Sequence, residues 1–90
     1  MKIKDTFVLR SIAGSSIVVP TGAEMMDFNG MITLNETGAF LWEKMQSETD
    51  IDSLTEAMLA EYTGISREDA EADIKEFIAT LDAKGIIENG

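Results

Sequence analysis

The stretch Leu34-Asn35-Glu36-Thr37-Gly38-Ala39-Phe40-Leu41-Trp42 is where the chain changes period. Before it, apolar residues alternate or run in short β-branched blocks, as in half-buried strands. After it they recur at helical spacing, as on one face of an amphipathic helix. Asn35 stands at the junction, and its side chain can accept from the free N–H groups of a first helical turn. The helix predicted from there runs to about Gln46, with Leu41, Trp42 and Met45 as its inner stripe.

Toward the N-terminus, residues 6–13 and 16–20 are rich in Val, Ile, Leu and Phe and flank Gly14-Ser15. A glycine first in a two-residue loop suits a type II′ hairpin turn, which would set Ile12 opposite Ile17 and Arg10 opposite Val19. Both faces of this hairpin carry apolar side chains, so either can meet the core. Asn29-Gly30 suits a type I′ turn pairing residues 25–28 with 31–34, with Ile32 and Leu34 on one face. A meander of three or four short strands results.

Toward the C-terminus two more helices follow. Thr49 and Asp52 form a capping-box-like start, Ile51, Leu54, Met58 and Tyr62 recur at helical spacing, and Gly64 is the stop. Ser66 and Asp69 repeat the start. Ala70, Ile74, Phe77, Ile78 and Leu81 make the third stripe, and Gly85 caps it. Ile86 and Ile87 either fold back on the last turn or add a terminal strand. The fold class expected is α+β and winged-helix-like: an N-terminal antiparallel meander, then three helices. Residues 1–90 form a single domain, with no linker or internal repeat.

Composition excludes much chemistry. The chain has 90 residues, no cysteine, no histidine and a net charge of −10. Disulfides, thiol nucleophiles, cysteine–zinc sites, histidine acid–base catalysis and Ser-His-Asp triads are ruled out. No apolar run approaches a membrane span or a signal peptide, so a cytoplasmic protein is expected. The charge is unevenly placed: residues 1–35 are neutral, and residues 36–90 carry the whole excess.

Each candidate functional feature has a plainer alternative. Asp50-Ile51-Asp52 resembles the start of a calcium loop, but Leu54 and Thr55 stand at its fifth and sixth positions, so helix capping is the better reading. Glu68, Asp69, Glu71, Asp73 and Glu76 make a solvated acidic face, or one that attracts a basic peptide. Met25, Met26 and Met31 cluster near the Asn29-Gly30 turn, as core filling or as an adaptable apolar surface. A winged helix would present the third helix to DNA. Between Ser66 and Lys84 that helix sums to −3, the wrong sign for a partner of phosphates.

Particular residues then resemble a known family. The series Phe7-Val8-Leu9-Arg10, Ile17-Val18-Val19-Pro20 and the opening stretch from Leu34 to Trp42 is similar to the PqqD-like family. Ala60-Glu61-Tyr62, Asp73-Ile74, Phe77, Leu81 and Gly85-Ile86-Ile87 continue the likeness. The founding member is the small protein of pyrroloquinoline quinone biosynthesis, and relatives are peptide-recognition domains of systems that modify ribosomally made peptides. The resemblance implies a non-catalytic chaperone without a cofactor. It would bind the leader of a precursor peptide and present it to a modifying enzyme, often a radical S-adenosylmethionine enzyme. The leader would add as a strand along Gly30, Met31, Ile32, Thr33 and Leu34 and pack against Asp73, Ile74, Phe77 and Thr80. Residues 21–29 depart from the founding member's pattern, which points as readily to a different peptide product as to the quinone. The alternatives are a winged-helix regulator binding DNA or another protein, and a small enzyme using paired carboxylates. An open strand edge can also be met by a second copy of the chain.

Overall fold

A computed structural model of the chain describes residues 1–21 and 32–88. Its elements run β1 (Lys2–Ile3), β2 (Phe7–Ile12), β3 (Ser15–Pro20), β4 (Ile32–Leu34), α1 (Glu36–Lys44), α2 (Ile51–Glu61), α3 (Arg67–Ala83) and β5 (Ile87–Glu88). The Asn29-Gly30 turn, the strand expected over 25–28, the methionine cluster, Gly30 and Met31 lie outside the described residues. The α+β order of strands followed by three helices is as expected.

Two small sheets form. One has the order β2-β3-β4 and is antiparallel throughout, and the other pairs β1 with β5. The register sets Phe7 against Pro20, Leu9 against Val18, and Ile32 against Val18 from the other side. Phe7 and Val18 are buried, Leu9, Ile32 and Leu34 pack against the same core, and Ile12 points away at 54% exposure. The core face, left open by the sequence, is therefore the one bearing Phe7, Leu9 and Val18.

The turn of the first hairpin differs from expectation. Ile12 pairs with Ser15 and Arg10 with Ile17, so the two loop residues are Ala13 and Gly14, one position earlier. Both have positive φ, 52° and 82°, which is the type I′ pattern. A left-handed alanine costs about 1–2 kcal/mol. In return, this register brings Phe7 into the ladder opposite Pro20 instead of leaving it beyond the strand end.

The helix starts follow from side-chain caps. Asn35 Oδ1 accepts from Gly38 N–H at 2.8 Å and Ser66 Oγ from Asp69 N–H at 3.0 Å, both as predicted. For α2 the cap is Asp50, accepting from Ser53 N–H at 2.7 Å, and not Thr49. Thr49 is taken up by the N-terminus, exchanging backbone hydrogen bonds with Met1 in both directions. The bond from Ser53 N–H, reinforced by the Ser53 hydroxyl, holds the Asp50 carboxyl below its ordinary pKa. The α2 helix ends at Glu61, and Tyr62 leaves in extended backbone, two residues before the reversal at Gly64. At the end of α3, Gly85 N–H donates to Asp82 C=O and Ile86 N–H to Leu81 C=O. With Gly85 at φ 73° this is a Schellman stop, and Leu81 and Ile86 bury completely beside it.

The chain ends close the core from below. Ile3 N–H donates to Met45 C=O, Lys4 N–H donates to Ile86 C=O, and Ile3 pairs with Ile87. Ile3, Leu41, Trp42, Met45, Leu54, Met58, Ile74, Leu81 and Ile86 then form one buried cluster. Among the described residues, no strand covers the outer edge of β4 or of β2.

Candidate functional site

The open edge of β4 borders a groove of about 390 Å³ between that strand, the first turns of α1 and one face of α3. The strand contributes Ile32, Thr33 and Leu34. The helix α3 contributes Asp73, Glu76, Phe77, Thr80 and Leu81, spaced so that successive turns present them along one line. Leu41 and Leu81, nearly or fully buried, form its floor, and half-buried Ile32, Leu34 and Phe77 form apolar walls. Thr33, Asn35 and Thr37 make a polar lip on one side, with Asp73, Glu76 and Thr80 opposite.

The junction stretch explains the shape. Asn35 spends its side-chain oxygen on the helix cap, which turns the chain sharply from β4 into α1. Gly38 follows because the space above its Cα is occupied. A Cβ there would lie 3.2 Å from Asn35 Oδ1, 3.3 Å from Leu34 Cβ and 3.4 Å from Phe77 Cε1. Glycine thus lets the groove's two walls approach the helix that joins them.

Of the residues expected to bind a peptide, Ile32, Thr33, Leu34, Asp73, Phe77 and Thr80 line this one groove. Ile74 does not: it is fully buried in the core and offers a ligand no surface. Helical spacing predicts which stripe faces inward, but not which residue of that stripe sits at the rim. Asn35, Thr37, Gly38, Leu41, Glu76 and Leu81 also line the groove, though none was among the expected contacts. Glu76 lies one turn from Asp73 on a face already read as acidic, so its signal was present.

The groove has a definite electrostatic sign. Among the described residues its titratable lining side chains are Asp73 and Glu76, both exposed acids, and none is cationic. Chemically it offers a strand edge uncovered among the described residues, an apolar trough and a negative rim. No group of three or more acids gathers to hold a metal ion among the described residues. No described helix is long and apolar enough to cross a membrane.

A second concavity of about 660 Å³ lies across α1, between β2 and the end of α2. Phe7 and Trp42 are buried at its base. Phe40 and Tyr62 meet edge to face at 5.6 Å and 81°.

The family model for coenzyme PQQ synthesis protein D (PqqD) matches residues 22–87. The match spans β4, all three helices and the first residue of β5, while the hairpin of β2 and β3 lies outside it. Among solved structures, the chain is similar to TbiB1 in complex with the TbiA(beta) leader peptide. The TM-score is 0.78 at 22% identity, over 100% of this chain and 98% of that one. It is also similar to a lasso peptide synthetase B1 complexed with the leader peptide, with a TM-score of 0.74 at 17% identity, over 98% and 96% of the two chains. These likenesses establish the fold over the full length, hairpin included. No curated protein sequence matches the chain significantly.

Proposed function

The chain belongs to the PqqD family, and on that footing we propose that it is a non-catalytic binding partner for the leader of a ribosomally made precursor peptide. The observation that carries this reading is the groove itself: a strand edge left uncovered among the described residues, beside a helix face, with an apolar floor. An extended peptide laid along β4 gains main-chain hydrogen bonds that tolerate many sequences, while Phe77, Leu34 and Leu41 receive its apolar side chains. The two solved relatives are described as leader-peptide complexes, which supports the same use of the fold here.

The contact residues proposed are Ile32, Thr33, Leu34, Asp73, Phe77 and Thr80; Gly30 and Met31, expected with them from the resemblance, lie outside the described residues. The acidic rim selects a leader that carries Lys or Arg beside its apolar anchors. A peptide-modifying enzyme then receives the presented precursor, in the cytoplasm where ribosomes supply it; a radical S-adenosylmethionine enzyme is the class the resemblance implies. A second copy of the chain is a weaker competitor for the strand edge, because each copy brings a net charge of −10.

The test is a titration of isotope-labelled protein with the precursor peptide encoded beside it, followed by amide chemical shifts. Perturbations concentrated at residues 32–34 and 73–80 are expected. Perturbations confined to other surfaces, or none at micromolar concentrations, would overturn the reading. A low-salt gel shift with duplex DNA is expected to show no retained complex.

A further inference from the structure

We propose that the second concavity, between β2 and the shared helix α1, docks a cationic segment of the modifying enzyme that carries an aromatic or aliphatic anchor. The proposal rests on the leader-binding reading for the enzyme's identity, but on separate residues for the site. Three observations carry it.

The first is the surface. Phe40 and Tyr62 are only half-buried, although they are large aromatic side chains packed on each other at the mouth of a cavity larger than the leader groove. The Lys44 ammonium lies 5.4 Å from the Phe40 ring centroid, so the ring already attracts a cation. An arriving Lys or Arg would find the same ring.

The second is charge. Glu36, Glu43 and Glu61 line the concavity, and the cation beside it among the described residues is Lys44, held at the Phe40 ring. Glu36 sits in the first turn of α1, where an anion favours the helix dipole. Glu43 and Glu61 sit in the last turns of α1 and α2, where the dipole favours a cation instead. Among the described residues neither has an ion-pair partner, unlike Glu48, Glu56 and Glu88. These two glutamates thus oppose their own helices, and a cationic partner is what their placement suits.

The third is position. The helix α1 is a wall of both sites: Thr37, Gly38 and Leu41 face the leader groove, while Ala39, Phe40 and Glu43 face the second concavity. An occupant on one side leaves the other side open, so leader and enzyme can be held together. A second copy of this chain would bring more acid against acid.

Trp42, the single tryptophan, lines the second concavity and not the leader groove, so its emission is read together with the amide resonances of that concavity. The probes are two synthetic ten-residue peptides, one alternating lysine with phenylalanine and one alternating glutamate with phenylalanine, titrated into the Asp73→Lys, Glu76→Lys variant so that the leader groove, which itself favours a basic strand, does not take them up. The lysine peptide is expected to shift Trp42 emission and the amide resonances of Val8, Leu9 and Phe40. Its affinity should change less than twofold when the leader peptide is saturating, and the glutamate peptide should bind at least tenfold more weakly. The double variant Glu43→Lys, Glu61→Lys should weaken the lysine peptide at least tenfold while raising the melting temperature, an outcome that loss of folding could not produce. The same variant should lose the modifying enzyme encoded beside the precursor in sedimentation, whereas Asp73→Lys, Glu76→Lys should keep it. Displacement of the lysine peptide by the leader, equal binding of both peptides, or full affinity in the Glu43/Glu61 variant would overturn the proposal. A leader that leaves residues 32–34 unperturbed sinks the leader reading, while the Trp42 titration of the unliganded chain still decides this one.

Discussion

The two sides of α1 differ in how they can recognise anything. On the β4 side, an exposed strand edge runs beside threonines, two acids and a buried leucine floor. On the β2 side, aromatic rings and three glutamates gather around a broader hollow. A strand edge reads backbone, which every peptide has, so side-chain pockets there only refine the choice. An aromatic hollow reads side chains, so an occupant must bring the right ones. One helix therefore separates a tolerant surface from a selective one, and substitutions on each side should fail in different ways.

The largest effect is expected from Phe77→Ala, which removes the ring that walls the leader groove. Leader affinity should fall about 10–100-fold by calorimetry, the range of a buried aromatic anchor, with Trp42 emission unchanged. An equal loss from Tyr62→Ala would erase the distinction between the two sides. Next, Asp73→Lys with Glu76→Lys should weaken a basic leader roughly tenfold at low ionic strength, the deficit shrinking as salt screens exposed charge. An unchanged affinity would show that the acidic rim is only solvated.

A smaller effect is expected at Gly38. Adding a Cβ against Leu34, Asn35 and Phe77 forces one of them to give by a few tenths of an ångström. Alanine's helix propensity offsets that crowding, so stability should stay within about 1 kcal/mol while leader affinity drops roughly threefold. A gain in affinity would mean that the groove is too wide as it stands. The smallest effect lies outside both sides, at Asp50. Its folded pKa is depressed by the Ser53 bonds, so its contribution is complete above the unfolded carboxyl pKa and is lost as pH falls through the lower, folded value. Asp50→Asn keeps a capping oxygen but removes the titration. Acid melting curves should therefore flatten slightly, with neutral-pH stability and both binding activities preserved.

Much of this was legible in the sequence, for local reasons. Asn35, Ser66 and Gly85 act on backbone groups within a few residues, so their types at those spacings already announce the turns they make. The line Ile32, Thr33, Leu34 facing Asp73, Phe77 and Thr80 was reached through the family resemblance. What stayed hidden depends on distant partners. A two-residue strand has no period, so β1 left no pattern to read, while β5 is one of the two alternatives offered for Ile86 and Ile87. Thr49 yields the cap to Asp50, while its backbone is tied to Met1, 48 residues away. Ala13 adopts a left-handed conformation that alanine rarely chooses, because the ladder beyond it gains Phe7. Spacing set Ile74 on the inner stripe, where it lies fully buried; its role as a contact came only with the resemblance. The second concavity is built from β2, α1 and α2, so no single stretch revealed it.

The pairing of β1 with β5 has a consequence for how the domain can be used. Lys2 lies opposite Glu88, with an ion pair between their side chains at 4.0 Å. The first and last described strands thus share one corner. A larger polypeptide could leave a surface loop, run through this fold and return to the same loop with its own backbone path barely displaced. The domain is built like a plug-in cartridge, and grafting it into the loop of an unrelated carrier should transplant both grooves intact.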